Sequence, residues 1–182
     1  MAVLTNQADE GVATLIERAS AGDEAAFARI VRAYHDDMTR VCFVVCGDID
    51  IADEAVGAAW ATAWRKLGSL RAPERLRPWL ISIAANEARG ILRRQRRRNV
   101  VELSVASGAA SSGEDPAARV ADLDLVNALA RLGADDRALL ALRYVAGFDS
   151  TELARATGRS PSGTRARLAR LLDRLRMELS DD

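Results

Sequence analysis

The chain has 182 residues, 49% of them hydrophobic, which is enough for one ordinary domain or two small domains with packed cores. No apolar run approaches the roughly 20 residues that a membrane helix needs, and the N-terminal residues lack the basic start and apolar stretch of a signal peptide. We therefore expect a soluble, cytoplasmic protein with no membrane insertion.

Charge is balanced in total but uneven along the chain. The 26 basic and 26 acidic residues cancel, yet residues 89–98 carry six arginines and no acid. Elsewhere, acidic residues cluster at Asp48, Asp50, Asp53 and Glu54. This asymmetry predicts one surface suited to phosphate groups and another suited to a basic protein partner.

The N-terminal half has helical periodicity throughout and no alternating pattern typical of strands. The predicted helices are, in order, about Asp9–Ser20, Asp23–Cys46, Ile51–Leu67 and a long stretch from about Trp79 into the arginine run. Gly47 and Gly68 follow the second and third helices, where a residue that tolerates positive φ can end them. The alanine-rich third helix is expected to face inward with Val56, Ala59, Trp60, Ala63, Trp64 and Leu67.

The cysteines and the single histidine predict no site of their own. Cys42 and Cys46 lie one helical turn apart in an apolar run, a spacing that favours core packing over a disulfide within the helix. With His35 they form at best a weak metal constellation. Because a Gly-rich phosphate loop and a Ser/His/Asp arrangement are also missing, we expect no metal, no cofactor and no enzymatic activity.

Helical periodicity stops between Asn99 and about Ala117, where the sequence is rich in serine, glycine and alanine and contains acids and a proline. This composition is typical of a flexible linker, which we place at residues 99–119. A linker of this length between two helical parts predicts two domains, at residues 1–98 and 120–182.

The C-terminal part predicts a second bundle of four helices. Apolar positions mark its first helix at Leu123, Val126, Leu129 and Leu132, and its second at Leu139, Leu140, Leu142, Tyr144 and Val145. A helix-turn-helix follows over Phe148–Leu175. The predicted fold class is therefore all-α: two small helical bundles joined by a flexible linker, the C-terminal one containing a helix-turn-helix.

The helix-turn-helix has helix-end signals at both helices. Asp149 or Ser150 can cap the first helix, Gly158 can end it, and Ser160 followed by Pro161 can begin the second. A leucine stripe leaves an outward face that carries Arg165, Ala166, Ala169 and Arg170, with Ser162 and Gly163 at its start and Arg167 and Arg174 beside it. A cationic second helix suits entry into the major groove of DNA, although a helical hairpin with a solvated basic face has the same pattern.

Four segments, in this order, resemble the extracytoplasmic-function group of bacterial sigma factors. GDEAAFARIVRAYHDDMTRV is similar to the opening helix of that family, and IADEAVGAAWATAWRKL to the helix that binds the clamp helices of RNA polymerase. LRPWLISIAANEARGILRRQRRR resembles the segment that melts and reads the minus-ten element. LARLGADDRALLALRYVAGFDSTELARATGRSPSGTRARLARLLDRLR resembles the domain that reads the minus-thirty-five element.

The resemblance implies an alternative sigma factor whose partners are core RNA polymerase, promoter DNA and an anti-sigma factor. It assigns polymerase binding to Asp53, Glu54, Val56 and Trp60, although the family usually has a glutamine and an acid where this chain has Gly57 and Ala58. It places the downstream DNA contacts at Arg77, Asn86, Arg89, Arg93, Arg94 and Arg97. The upstream contacts are Ser162, Gly163, Arg165, Ala166, Arg167, Ala169 and Arg170.

Some alternatives stay open at this point. Trp79 fits core packing better than stacking on DNA, because Leu80 and Ile83 surround it in the sequence. The whole chain could instead be a two-domain helix-turn-helix regulator, whose N-terminal bundle senses a signal or dimerises. A third hypothesis is a degenerate sigma-like interaction protein, which the departures at Gly57 and Ala58 keep open.

Overall fold

The structure, a computed structural model, describes residues 11–103 and 120–180. The first range forms a bundle of α1 (Val12–Ser20), α2 (Glu24–Cys46), α3 (Ile49–Lys66) and α4 (Leu76–Leu103), with short 3-10 turns at Leu67–Ser69 and Pro73–Arg75. The second range contains α5 (Val120–Arg131), α6 (Ala134–Leu140), α7 (Ser150–Thr157) and α8 (Pro161–Ser180), with a π-helical turn at Ala141–Val145 after α6. These two ranges contain no strand, and the predicted all-α class is confirmed.

The ends of α2 follow from its flanking residues. Asp23 precedes the helix, and its Oδ1 accepts hydrogen bonds from the backbone N–H groups of Ala25 and Ala26 at 2.9 and 3.0 Å. Gly47 ends it with a φ of 72°, a left-handed conformation that glycine adopts without steric cost. Both predicted ends are confirmed.

Small side chains on α3 allow close packing inside the first bundle. Ala52, Ala55, Ala59 and Ala63 recur along one face of the helix and are all 0% exposed. They lie against α2 and α4, whose own buried side chains, larger on average, complete the core: Met38, Val41, Cys42, Val45, Leu80, Ile81 and Ile91. An alanine stripe lets three helix backbones approach one another without leaving voids.

The two bundles pack together in a closed arrangement. The α6 helix and the π-helical turn lie against α2 and α4, and the hydrophobic core continues across the boundary. Arg137 is only 8% exposed, and its Nε donates to the Val45 carbonyl at 2.7 Å while its Nη1 donates to the Ala130 carbonyl at 3.3 Å. Arg77 Nη1 donates to the Ala146 carbonyl at 3.0 Å. Two arginines therefore tie the bundles together through backbone oxygens.

Three aromatic or apolar side chains predicted to face inward are exposed instead. Tyr144 and Val145 are 58% and 41% exposed, because the π-helical turn inserts an extra residue and rotates them away from the core. Trp64 is 37% exposed and packs edge-on against Phe27, with ring centroids 4.7 Å apart, near the surface of the first bundle. Simple 3.6-residue periodicity does not detect either effect.

The boundaries of α3 and α4 also differ from the prediction. The α3 helix ends at Lys66, and Gly68 lies inside the following 3-10 turn. The α4 helix begins at Leu76, because Pro78 is tolerated in a first turn, and it extends to Leu103 into the expected linker. No glycine or proline interrupts residues 99–103. The remaining linker residues, 104–119, lie outside the described residues, so the division into domains stays a prediction.

Candidate nucleic-acid and polymerase interfaces

The first helix of the helix-turn-helix, α7, has a complete capping box. Asp149 Oδ1 accepts from the N–H groups of Thr151 and Glu152 at 2.7 and 2.8 Å, and Glu152 Oε2 accepts from the Asp149 N–H at 2.9 Å. The backbone N–H of Glu152 is the main reason that the pKa of Asp149 lies below its usual 3.8. Gly158 ends the helix with a φ of 66°, as predicted.

The second helix, α8, is held at its start by its own side chains. Ser160 Oγ accepts from the Gly163 N–H at 3.1 Å, and Pro161 is the first helical residue, so both predicted start signals are confirmed. Thr164 is 0% exposed, and its Oγ1 donates to the Ser160 carbonyl at 2.9 Å. This buried threonine adds a side-chain hydrogen bond to the first turn of α8.

One face of α8 is open to solvent and brings most of the predicted upstream contacts together. Leu171 and Leu175 point into the core. The exposed residues of the opposite face are Ser162, Gly163, Arg165, Ala166, Ala169 and Arg170. Because the two alanines between the two arginines have short side chains, the helix could lie deep in a DNA groove. Contact of these residues with DNA stays a prediction.

Arg167 is an exception on α8. Its side chain is only 27% exposed, and its Nε lies 2.6 Å from Oδ1 of Asp136, in the first turn of α6. The guanidinium group therefore ties α8 to α6. The predicted role of Arg167 as a DNA contact does not fit this geometry, because the outward rotation that would reach a phosphate breaks the ion pair.

Part of the predicted downstream DNA surface on α4 lies beside the second bundle. The Arg89 side chain is 16% exposed, its Nη2 donates to Asn86 Oδ1, and its Nη1 lies 3.5 Å from Asp135 Oδ1 of α6. Arg93 Nη1 lies 3.9 Å from the same Asp135 oxygen. In the closed arrangement, an acid of the second bundle therefore lies beside two arginines that are predicted to bind DNA phosphates.

The two ends of α4 differ in accessibility. Arg94 and Arg97, near its C-terminal end, are exposed. Arg77, near its N-terminal end, has its Nε 2.8 Å from Asp37 Oδ2 in addition to its bond across the boundary. The predicted downstream contacts therefore divide into Arg89, which is largely covered, Arg77, which is half-buried, and an exposed group: Asn86, Arg93, Arg94 and Arg97.

A cavity of about 520 Å³ separates the two bundles beside this covered surface. Trp79 and Asn86 line it from α4, and Phe148 and Arg155 line it from the second bundle. Trp79 is half-buried and packs against the core, in agreement with the packing role that the sequence favours. Its remaining surface faces the cavity.

The predicted polymerase-binding residues on α3 are not all on the surface. Asp53 and Glu54 are exposed, whereas Val56 is 2% exposed and belongs to the core, so Val56 is wrong as a contact residue. Val56 follows Ala55 on the buried face of α3, where its side chain packs in the core. Trp60 is half-buried, and its Nε1 donates to Nδ1 of His35 on α2 at 3.3 Å.

Position 57, where the chain departs from the family pattern, is sterically open. Gly57 is exposed, and a Cβ atom added there would meet no other atom within 4 Å. Ala58 is half-buried. The absence of the usual glutamine at position 57 is therefore not required by packing.

The two cysteines belong to the core, as predicted. Cys42 Sγ lies 3.6 Å from the Ala84 carbonyl oxygen. Burial raises the pKa of Cys42 to about 12 and that of Cys46 to about 11, so both thiols are protonated at neutral pH. Within residues 11–103 and 120–180, no group of three His, Cys, Asp or Glu side chains is placed to hold a metal ion. No helix among these residues has the length and apolar character needed to cross a membrane.

Three residues of α6 that make long-range contacts were not identified from the sequence. Asp135, Asp136 and Arg137 follow one another at the start of α6, where acids in a first turn have an ordinary helix-dipole explanation. Arg137 lacks any sequence signal for burial, because arginine is rarely buried. The contacts of these residues cross from one part of the chain to another, which local patterns do not report.

Two family models match the chain. The model for Sigma-70 region 2 matches residues 30–98, and the model for Sigma-70, region 4 matches residues 122–175. Together they cover the region from α2 to α4 and the region from α5 to α8.

Curated relatives carry the same description. The chain is 31% identical over 135 residues to the RNA polymerase sigma factor CarQ of Myxococcus xanthus, covering 72% of this chain and 76% of CarQ. It is 28% identical over 169 residues to the ECF RNA polymerase sigma factor SigL of Mycobacterium tuberculosis, covering 88% and 94%. It is 31% identical over 175 residues to the probable RNA polymerase sigma factor RfaY of Xanthomonas campestris pv. campestris, covering 90% of this chain but only 43% of RfaY.

A solved structure shares the fold. The sigma factor RpoE of Bartonella quintana, crystallised with the anti-sigma factor NepR, is 24% identical with a TM-score of 0.69. The match covers 86% of this chain and 98% of RpoE.

Proposed function

The chain belongs to the extracytoplasmic-function group of the sigma-70 family, the alternative sigma factors of transcription initiation, and from this premise we propose that it directs core RNA polymerase to promoters. We assign polymerase docking to α3, minus-ten recognition and melting to α4, and minus-thirty-five recognition to α8. The chain catalyses no reaction in this scheme, and it acts in the cytoplasm, where polymerase and promoters are found.

The observation that carries the proposal is the presence of three charged surfaces in this order along one chain. The start of α3 is exposed and acidic at Asp53 and Glu54, which suits a basic protein helix. The α4 helix carries six arginines between residues 89 and 98, which suit phosphates beside a melted segment. The α8 helix presents an open face between Arg165 and Arg170.

Binding to purified core RNA polymerase tests the docking surface. Changing Asp53→Lys and Glu54→Lys together should weaken binding at moderate salt, because both carboxylates are exposed at the proposed contact. The matched control is Glu17→Lys with Asp36→Lys, an equal change in charge at exposed positions of α1 and α2. Helicity by circular dichroism should be the same in both. Equal affinity of the two double variants would reject this docking surface.

Transcription in vitro separates this function from the alternatives. Core polymerase with the chain should start transcription at discrete sites on a genomic library, and mapping those sites identifies the promoters. A two-domain helix-turn-helix regulator would bind duplex DNA without binding core polymerase. A degenerate sigma-like protein would bind neither a promoter nor polymerase strongly enough to start transcription.

We also propose that an anti-sigma factor is a partner of this chain. The support is the related RpoE, whose structure was determined with the anti-sigma factor NepR and shares this fold. Release from such a partner would give the chain access to polymerase. Recovery of a small bound protein with the chain from its own cells, and loss of transcription when that protein is added back, would test this.

A further inference from the structure

A second cavity between the bundles is lined mainly by arginines. It has a volume of about 240 Å³, and its lining includes Arg89 and Arg93 from α4, Arg159 from the turn of the helix-turn-helix and Arg167 from α8. Asp135 is the acid in this lining. Arg167 is neutralised by Asp136. One carboxylate therefore faces the three other guanidinium groups, which leaves an excess of positive charge in the cavity.

The existing contacts do not satisfy these arginines. Asp135 Oδ1 lies 3.5 Å from Arg89 Nη1 and 3.9 Å from Arg93 Nη1, both longer than a good charge-assisted hydrogen bond. Arg89 Nε is buried and has no hydrogen-bond partner. Burial is the main reason that the pKa of Arg89 lies below its usual value; the Asp135 carboxylate opposes this shift, and repulsion from Arg93 and Arg159 adds to it. A bound anion would reduce the repulsion among these guanidinium groups and could accept the unused hydrogen bond of Arg89.

We propose that this cavity binds a compact polyphosphate anion, either free or as part of a nucleotide. One guanidinium group can donate two parallel hydrogen bonds to phosphate oxygens. Three guanidinium groups from the two bundles line this cavity. The excess positive charge favours a multiply charged anion over chloride. Thr157 also lines the cavity and is half-buried, but its hydroxyl donates to the Leu153 carbonyl, so the arginines supply the recognition.

Such an anion would act on the closed arrangement. Arg89 and Arg93 belong to the first bundle and Arg159 to the second, so one bound polyphosphate bridges them. It would stabilise the closed form by mass action. Because Arg89 and Arg93 are also predicted DNA contacts, the same anion would compete with the downstream promoter segment.

Calorimetric titration of the full chain with inorganic pyrophosphate, at constant ionic strength, tests the proposal. We expect saturable binding and a melting temperature that rises with pyrophosphate concentration. Arg159→Gln should weaken binding about tenfold, the usual loss for one charged hydrogen bond. Asp135→Asn should tighten binding about threefold, because it removes the internal competing carboxylate.

Two matched controls separate this site from a general charge effect. Arg32→Gln removes an exposed charge on α2, and Asp173→Asn removes an exposed carboxylate on α8, so both should leave pyrophosphate affinity unchanged. Equal effects of Arg159→Gln and Arg32→Gln would overturn the proposal. So would a titration that does not saturate.

Parallel titrations identify the source of the phosphate. A nucleoside triphosphate that binds with the same dependence on Arg159 would support a nucleotide, and binding of pyrophosphate alone would support a free polyphosphate. A short single-stranded oligonucleotide should not depend on Arg159. Binding of the oligonucleotide without any binding of pyrophosphate would overturn the proposal, since the arginines would then serve DNA only.

Discussion

The two proposed DNA-reading helices, α8 and α4, differ in how accessible they are in the closed arrangement. The outer face of α8 is exposed along its whole contact length, from Ser162 to Arg170. On α4, by contrast, Arg89 and Arg93 face Asp135 of the second bundle. DNA contact through the outer face of α8 would therefore need no rearrangement of the structure, whereas DNA contact through Arg89 of α4 would need the bundles to separate. We expect the free-energy cost of that separation to lower the affinity of the free chain for the downstream promoter segment.

Substitution of the buried Arg137 should have the largest effect on this difference in accessibility. Arg137→Ala removes hydrogen bonds to the Val45 and Ala130 carbonyls and should lower the free energy of unfolding by about 3 kcal/mol. In this variant, affinity for a single-stranded minus-ten segment should rise, because α4 is uncovered, while affinity for the upstream duplex stays constant. Urea unfolding and binding titrations measure the two effects.

The control for this variant is Arg131→Ala, which removes an exposed arginine from the last turn of α5. It should leave both stability and the minus-ten affinity close to their original values. If Arg137→Ala changes affinity for both DNA segments alike, the closed arrangement does not distinguish them and the comparison fails.

Substitutions on the exposed face of α8 test whether this helix reads bases. Arg165→Ala or Arg170→Ala should cost about 1 to 3 kcal/mol on the cognate upstream element and relax the preference at one base pair, if the lost group binds a guanine edge. Arg174→Ala, which removes the partner of Glu178 farther along α8, should have a smaller and uniform effect. Equal losses on every upstream sequence would mean that Arg165 and Arg170 hold phosphates only.

Salt dependence distinguishes the exposed α4 arginine that lies near Asp135 from the exposed α4 arginines that do not. Arg94→Ala and Arg97→Ala should each reduce the slope of log affinity against log salt by up to about one unit, because each exposed group can release a counterion. Arg93→Ala should change the slope less in the free chain, since Asp135 already lies near that group. Identical slopes for the three variants would show that Asp135 does not shield Arg93 in solution.

A change on α3, the proposed docking helix, should have a smaller effect on stability. Gly57→Gln should raise the free energy of unfolding by about 0.5 kcal/mol through helix propensity, since the site is sterically open. It should also strengthen binding to core polymerase if the glutamine contacts it as in the family pattern. Gly57→Ala is the control, because it stabilises the helix by about 1 kcal/mol without adding an amide. An equal gain in polymerase affinity would assign the effect to helix stability.

Local signals in the sequence predicted the presence of the helices and several of their ends, but not the arrangement of the helices in space. Asp23, Gly47, Gly158 and Ser160 mark helix ends through their own backbone and side-chain chemistry, and all four act in the structure as expected. The exposure of Tyr144 follows from a π-helical turn, in which the residue spacing differs from 3.6.

The closed arrangement was not predictable in the same way. The bond from Arg137 to the Val45 carbonyl joins residues far apart in the chain, and no residue type marks a backbone oxygen as a partner. The ion pair that withdraws Arg167 from DNA depends on Asp136 in the same manner. The resemblance to a family assigned roles to single residues. Only the three-dimensional contacts show which of those residues already have a partner within the chain.

The buried cysteines have a practical consequence for measuring the movement of the bundles. Cys42 and Cys46 are the only cysteines of the chain, and both thiols are buried with pKa values raised to about 12 and 11. At neutral pH, thiol reagents will therefore react slowly with the natural protein. One cysteine introduced on the outer face of each bundle, without removing either natural one, would accept a donor and an acceptor dye. The distance between the dyes would then report opening in solution, with and without DNA.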